Sequence, residues 1–148
     1  MSNQGIEFYG AKVCLFIGAK ILVILRDDIP GILWPAHWDF PGGGREGDET
    51  PFETVARETM EEVGLALTPA DILDSAVYPT ETKPGAVNHF MLARCPAETV
   101  DRIVLGDEGQ EWTLMTPDEY ASHSKRIPHF ADRMAEMLGK HKNLTRGS

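Results

Sequence analysis

Three glutamates, Glu58, Glu61 and Glu62, lie close together in the chain and follow a glycine-rich turn at residues 42–44. On a helix their carboxylates share one side, where like charges three or four residues apart are slightly destabilising unless a cation offsets them. Mg²⁺ prefers carboxylate and carbonyl oxygens and commonly bridges to substrate phosphates. Glycine has no Cβ, so the turn can approach a ligand closely. The spacing therefore favours a divalent-cation site for a diphosphate over an acidic face that only meets water.

The glutamates are predicted to lie on a helix that spans residues 51–63. Thr50 is a suitable N-cap, Pro51 fits the first helical position, and Glu53 can complete a capping box. Gly64 can take the left-handed conformation that ends helices. At about 100° per residue, the arc opposite the glutamates is predicted to pack, and it carries Phe52, Ala56, Met60 and Val63.

The segment from Gly43 to Leu65 resembles the Nudix box, the signature of the Nudix hydrolase family. The pattern is a glycine, five residues, a glutamate, seven residues, Arg-Glu, an aliphatic residue, any residue, Glu-Glu, any residue, a glycine and an aliphatic residue. The matching residues are Gly43, Glu49, Arg57, Glu58, Glu61, Glu62, Gly64 and Leu65. Thr59 replaces the usual aliphatic residue, and we expect its hydroxyl to bond to the Val55 carbonyl and soften the helix. The resemblance covers about residues 8–120 and includes the Phe40-Pro41-Gly42 lead-in.

The resemblance implies Mg²⁺ as the cofactor, with Mn²⁺ as an alternative. The metal ligands it implies are Glu58, Glu61, Glu62, the carbonyl oxygen of Gly42, and Glu108. Arg57 is then expected to orient the glutamates through charge-assisted hydrogen bonds. The alternative for Arg57 is a surface ion pair with Glu53 or Glu61.

Nudix enzymes often use one more glutamate, from a loop beyond the box, as metal ligand or general base. Glu108 resembles that position, and Glu111 is the second candidate. Glu58 competes for the role of general base. The catalytic residues implied by the resemblance are therefore Glu58, Arg57 and Glu108.

The candidate substrate-binding residues are Arg26, Trp34, Phe40, Gly43 and Tyr78. Arg26 ends a strand that should lead toward the site, where it can meet phosphate; an ion pair with Asp27 or Asp28 is the alternative. Trp34 lies in a proline-containing loop, and an aromatic ring there can stack on a nucleobase. Core packing is the alternative for Trp34 and for Phe40.

Composition narrows the class of protein. A chain of 148 residues with 42% hydrophobic residues is expected to form one domain with a sizeable core. Its net charge of −9 disfavours binding to polymeric nucleic acid, but it allows a small nucleotide. No signal peptide or membrane-spanning run is evident, and two cysteines are too few for a disulfide framework. We expect a cytoplasmic protein, monomeric or homodimeric, with a frayed tail after about residue 140.

Hydrophobic periodicity predicts strands at residues 8–17, 20–26, 38–40, 72–80, 87–95 and 111–115. Helices are predicted at residues 51–63, at 117–122, and from 128 to the residue before Gly139, with a turn at residues 82–85. This order predicts an α/β (α+β) protein, an α/β/α sandwich with a mixed central sheet. The same fold is implied by the resemblance to the Nudix family.

The resemblance implies hydrolysis of a nucleoside diphosphate linked to another moiety. Nucleoside triphosphates, including an oxidised one, are favoured because the EGQ sequence at Glu108 resembles that branch. Pyrophosphatase activity on ADP-ribose or a nucleotide sugar is the first alternative. A non-catalytic regulator usually lacks box glutamates, and isomerase chemistry on a prenyl diphosphate needs a cysteine nucleophile, whereas Cys14 and Cys95 are expected in the core.

Overall fold

A computed structural model describes residues 7–80 and 84–144. The strands are β1 (Phe8–Ile17), β2 (Lys20–Leu25), β3 (Trp38–Asp39), β4 (Gly42–Gly44), β5 (Ile72–Pro79), β6 (Val87–Cys95) and β7 (Glu111–Met115). The helices are α1 (Pro51–Val63), α2 (Pro117–Ala121) and α3 (Pro128–Leu138), with short 3₁₀ turns at Pro69–Asp71 and Ala97–Arg102. Every predicted strand and helix is present and ends within one residue of its predicted bound. Strand β4 and the 3₁₀ turns were not predicted.

The strands form one seven-stranded sheet in the order β3-β2-β1-β6-β5, with β4 added beside β1 and β7 beside β2. Strands β1 and β6 run parallel, while the other pairs are antiparallel. The sheet is therefore mixed, as predicted. Because β1 and β6 are covered on both faces, their sequences read as nearly continuous apolar runs.

Two hydrophobic clusters lie on opposite faces of the sheet. One contains Phe16 and Phe90 from the sheet, Phe40 from the segment after β3, and Phe130 and Met134 from α3. The other contains Val13, Leu15 and Leu22 from the sheet with Val55 and Val63 from α1. Helix α1 therefore covers one face while α2 and α3 cover the other, which confirms the predicted α/β/α sandwich.

Both ends of α1 are fixed by the predicted capping residues. The Glu53 N–H donates to Thr50 Oγ1 at 3.1 Å, and the Thr50 N–H donates to Glu53 Oε1 at 2.9 Å, which forms the capping box. Gly64 ends the helix with φ of 72°, and its N–H donates to the Met60 carbonyl. The capping signals therefore placed the acidic segment correctly.

The packed face of α1 differs from the prediction. The buried residues are Thr54, Val55, Thr59 and Val63, whereas Met60 is 46% exposed. The prediction counted only apolar residues, but a threonine can bury its methyl group as valine does. The packed arc is consequently rotated toward Glu62. The predicted bond from Thr59 to the Val55 carbonyl is also wrong, since Thr59 Oγ1 is buried and has no hydrogen-bond partner among the described residues.

Two predicted features fall partly outside the described residues. Of the turn at residues 82–85, Pro84 and Gly85 form a turn with Gly85 at φ of 84°, while residues 81–83 are not described. Of the tail, residues 140–144 are not frayed: His141 bonds to Asp74 at 2.8 Å, and Leu144 is buried. Residues 145–148 lie outside the described part. Within residues 7–80 and 84–144, no helix has the length and apolar character needed to cross a bilayer.

Candidate active site

The glycine turn is pressed against β1. Strand β4 pairs with β1 so that Gly42 lies opposite Lys12 and Gly43 lies opposite Ala11. Gly42 has φ of 132°, and a Cβ built on it would lie 2.1 Å from the Ala11 carbonyl oxygen. A side chain at this position would therefore force the turn away from the sheet.

Two of the predicted metal ligands reach this turn from α1. The carboxyl group of Glu58 lies so close to Gly43 that a Cβ there would be 2.6 Å from Glu58 Cδ. Glu62 Oε1 accepts a hydrogen bond of 3.0 Å from the Gly42 N–H. Glu61 is exposed on the same side of the helix. The structure thus brings two of the predicted carboxylates, Glu58 and Glu62, to the turn that carries the predicted carbonyl ligand.

Arg57 links the turn to the glutamates. Its Nε donates to Glu49 Oε2 at 2.7 Å, and its Nη2 donates to Glu49 Oε1 at 3.1 Å and to the Gly44 carbonyl at 2.8 Å. Its Nη1 donates to Glu58 at 3.1 Å and to Glu61 at 3.4 Å. The Arg57 guanidinium lowers the pKa of Glu49 to about 2. Arg57 therefore contacts three box glutamates and occupies the place that the orienting role requires.

Burial raises the pKa of Glu62 to about 8 in the metal-free protein. The positive charge of Lys12 and the Gly42 N–H act in the opposite direction, and the nearby Asp39 and Glu58 add to the rise. A desolvated carboxylate of this kind is stabilised by a cation that comes close to it. A cation close to Glu62 would therefore stabilise the charged form of its carboxylate.

The loop before β7 is fixed to the end of α1. The Val104 N–H donates to the Val63 carbonyl at 2.9 Å, and the Gly106 N–H donates to the Glu62 carbonyl at 2.8 Å. These bonds satisfy carbonyls at the helix C-terminus, which have no partner within the helix. They also bring Glu108 to the cavity that Glu62 lines. Glu111, the first residue of β7, lines neither this cavity nor the larger one described below.

Two adjoining cavities lie beside the turn. The smaller, about 320 Å³, is lined by residues that include Arg26, Asp39, Phe40, Glu62 and Glu108. The larger, about 610 Å³, is lined by residues that include Lys12, Arg26, Trp34, Asp39, Gly43 and Asn88. Arg26 and Asp39 belong to both walls, so the two cavities meet at this pair.

Arg26 makes its ion pair with Asp39, at 2.9 Å, and not with the expected Asp27 or Asp28. Its Nε donates to the Leu33 carbonyl at 2.8 Å, which ties the proline-containing loop to the end of β2. The guanidinium is therefore held at the junction of the cavities, where the sequence predicted a phosphate contact.

The three aromatic candidates are placed differently. Trp34, with φ of 52°, is 37% exposed and lines the larger cavity, so its ring is available to a ligand. Phe40 is buried and stacks on Phe130 with 5.7 Å between ring centroids, which is the core-packing alternative. Tyr78 lines neither cavity; its hydroxyl donates to Glu136. Its position on a predicted strand, which suggested Tyr78, could not show whether its side chain faces the pocket.

Sequence reasoning missed Lys12, Asp39 and Asn88, which the structure adds to the cavity walls. Lys12 interrupts an apolar strand, and Asp39 is only 6% exposed between two aromatic residues. A charged residue within a buried strand is rare unless it is paired. That rarity was the signal available in the sequence.

The residues fit a hard divalent cation in donor chemistry. Carboxylates and the Gly42 carbonyl supply oxygen ligands, and the absence of a side chain on Gly43 leaves the space that Glu58 occupies. Within the described part of the chain, no group of three or more His, Cys, Asp or Glu side chains is already gathered for a metal ion. Glu58 and Glu61 instead accept hydrogen bonds from the Arg57 guanidinium, at 3.1 Å and 3.4 Å.

The chain is similar in sequence to proteins of known name. A MutT-like protein of Streptomyces ambofaciens is 33% identical over 120 residues, 80% of this chain and 68% of that protein. An RNA pyrophosphohydrolase of Halorhodospira halophila is 44% identical over 85 residues, 54% of this chain and 41% of that protein. The chain spans about half the length of the first curated relatives that it matches.

Solved structures share the fold at low identity. The MutT protein of Methanosarcina mazei superposes with a TM-score of 0.72 at 19% identity and covers 93% of this chain and 98% of that one. The C. elegans Ap4A hydrolase superposes with a TM-score of 0.68 at 17% identity. This match covers 90% of this chain and 97% of the hydrolase chain. The NUDIX domain family model matches residues 9–138, and the chain therefore belongs to the Nudix family.

Proposed function

We propose that the protein hydrolyses a nucleoside triphosphate, normal or oxidised, to the monophosphate and pyrophosphate, with Mg²⁺ as cofactor and Mn²⁺ as an alternative. Family membership and relatives named pyrophosphohydrolase and diphosphatase support a hydrolase that acts on phosphoric anhydrides. The observation that carries the proposal is the junction of an acidic cavity, lined by Glu62 and Glu108, with a larger cavity at Arg26.

The two cavities suit the two parts of a nucleotide. A volume of about 610 Å³ lies within the range of small-molecule sites, and the exposed ring of Trp34 can stack on a base there. The smaller cavity offers carboxylates for a metal, while Arg26 offers a guanidinium for phosphate oxygens. In this arrangement the phosphates lie across the Arg26–Asp39 pair.

The proposed chemistry divides among the residues of the box and the loop. A bound divalent cation neutralises charge on non-bridging oxygens and lowers the pKa of a water. Glu58, Glu61, Glu62 and the Gly42 carbonyl would hold the cation. Arg57 orients the carboxylates, and Glu108 accepts the proton of the attacking water, with Glu58 as the competing base.

The test is a panel of substrates with Mg²⁺: the common and oxidised nucleoside triphosphates, ADP-ribose, a nucleotide sugar and a 5′-triphosphorylated RNA oligonucleotide. We expect monophosphate and pyrophosphate from a triphosphate, and loss of turnover in Glu58→Gln. The matched control is Glu98→Gln, an exposed glutamate on the 3₁₀ turn after β6 that lines neither cavity. If the folded protein binds Mg²⁺ but hydrolyses no substrate of the panel, a non-catalytic regulator is favoured. A preference for ADP-ribose or for RNA would reassign the substrate.

The chemical environment proposed is the cytoplasm, where nucleotides and Mg²⁺ are abundant. Cys14 and Cys95 are free and buried, which agrees with a reducing compartment. Binding to polymeric nucleic acid is not part of the proposal, because a net charge of −9 repels a phosphate backbone.

A further inference from the structure

Lys12 already provides a cation at the glycine turn. Its Nζ donates to Asp39 Oδ2 at 3.0 Å, to the Gly42 carbonyl at 3.1 Å and to the Phe40 carbonyl at 3.2 Å. An ammonium group has three donors, so these three oxygens satisfy it fully. One of them is the carbonyl oxygen proposed as a metal ligand.

The backbone fixes Lys12 in this position. Lys12 and Gly42 are directly paired between β1 and β4, and a Cβ on Gly42 would lie 2.7 Å from the Lys12 Cα. The turn therefore lies against the base of the lysine side chain. The ammonium cannot move far from the Gly42 carbonyl without leaving Asp39 as well.

Gly42 connects Lys12 with Glu62. Its N–H donates to Glu62 Oε1 at 3.0 Å, while its carbonyl accepts from Lys12 at 3.1 Å. The lysine charge and the carboxylate attract each other across this residue. A divalent cation bound by Glu62 and the Gly42 carbonyl would lie close to the Lys12 charge and would use an oxygen that Lys12 now holds.

We infer that Lys12 is a positioning residue that holds the Gly42 carbonyl in the metal-free protein and competes with the divalent cation for it, so that it weakens cation binding. The inference rests on the proposed use of a cation at this carbonyl. A lysine with only a structural role makes the opposite prediction, because its loss would loosen the turn and weaken cation binding. The sign of the change in affinity separates the two roles.

The experiment measures Mn²⁺ affinity without substrate, by calorimetry or by the electron paramagnetic resonance of free Mn²⁺. We expect Lys12→Gln, which keeps hydrogen-bonding capacity but removes the charge, to bind Mn²⁺ about tenfold more tightly, equivalent to about 1.4 kcal/mol. Lys12→Arg keeps the charge and should stay near the wild-type affinity. Arg45→Gln is the matched control for loss of a nearby positive charge, since Arg45 contacts Glu7, the Phe8 ring and the Glu49 carbonyl, none of which is a candidate ligand; screening should limit its effect to less than about twofold.

The inference would be overturned if Lys12→Gln bound Mn²⁺ no more tightly than the wild type. It would also be overturned if Arg45→Gln gained as much Mn²⁺ affinity as Lys12→Gln, or if neither the wild type nor Lys12→Gln bound Mn²⁺. If Lys12→Gln does not fold, the test uses the side-chain ¹⁵N resonance of Lys12 in the wild type, which is identified by its loss in Lys12→Arg. Mg²⁺ should shift this resonance. An unchanged resonance at saturating Mg²⁺ would contradict the competition. If no nucleotide is hydrolysed but Lys12→Gln binds Mn²⁺ more tightly, the proposed function fails and this inference stands.

Discussion

Replacing Glu62 with glutamine should stabilise the metal-free protein at alkaline pH. Burial raises the pKa of Glu62 to about 8 in the folded chain, against about 4.3 for an ordinary glutamate. A raised pKa means that the folded state favours the protonated carboxyl. The contribution to stability is therefore fully present below about pH 4.3 and is lost as the pH rises through 8.

The size of the effect follows from the same two pKa values. Each pKa unit corresponds to about 1.36 kcal/mol, so the difference between about 8 and about 4.3 corresponds to about 5 kcal/mol if all of it is desolvation. Water reaches part of the side chain, and we expect about 2 to 5 kcal/mol. The glutamine side chain is neutral at every pH, and its carbonyl can accept the Gly42 N–H as the Glu62 carboxylate does. The variant should exceed the unfolding free energy of the wild type by no more than about 1 kcal/mol at pH 5 and by the full amount at pH 9.

The assay is urea unfolding from pH 5 to 9 in EDTA and again in Mg²⁺, followed by tryptophan fluorescence. Mg²⁺ should stabilise the wild type at pH 8 and should stabilise the variant much less, since a cation that binds only the folded state raises its stability by mass action. Glu98→Gln is the control, because Glu98 is exposed and lines neither cavity. Parallel pH curves for wild type and Glu62→Gln in EDTA would refute the reasoning, since they would show that the carboxylate is not desolvated.

Three further substitutions test the site and the helix. Gly43→Ala should displace the Glu58 carboxylate, because its Cβ would lie 2.6 Å from Glu58 Cδ. The variant should therefore have at least tenfold lower kcat and Mn²⁺ affinity. Gly44→Ala has open space around its Cβ and should change neither quantity. Thr59→Val should raise the unfolding free energy by about 1 kcal/mol, because it removes a buried hydroxyl that has no partner among the described residues. This gain would appear as an increase of a few degrees in Tm. An unchanged Tm would show that the hydroxyl is satisfied. Glu108→Gln should lower kcat at least about 100-fold with Mg²⁺ if it is the general base, while substitution of Glu111 should have little effect; full kcat in both variants would exclude an outside carboxylate.

The sequence predicted α1 to the residue because the signals that define it are local. Thr50, Pro51 and Glu53 at its start and Gly64 at its end act within one turn of the helix, so no tertiary contact is needed to read them. The positions of the box glutamates on the helix were therefore also predicted correctly, since their separation along the chain fixes their separation on the helix. The face that packs is decided by the sheet, and there the prediction omitted the buried Thr54 and included the exposed Met60.

The path of the loop that carries Glu108 could not be read from the chain. Glu108 and Glu111 are three residues apart, and only the family resemblance favoured Glu108 over Glu111. The structure distinguishes them because Val104 and Gly106 donate to the last carbonyls of α1. A helix C-terminus always needs such donors, but which segment supplies them depends on tertiary contacts.

The Lys12–Asp39–Arg26 group shows why strand residues of the site were harder to find than helix residues. The three residues come from β1, β3 and the end of β2, and only the pairing of these strands brings both cations within 3.0 Å of the Asp39 carboxylate. Two cations and one carboxylate give the group a net positive charge in a chain whose net charge is −9. Keeping such a group at low exposure is unfavourable unless an anion compensates it. The group lies where the acidic cavity meets the larger one, so its positive charge can be compensated by the nearby Glu62 carboxylate and, under the proposed function, by a substrate phosphate.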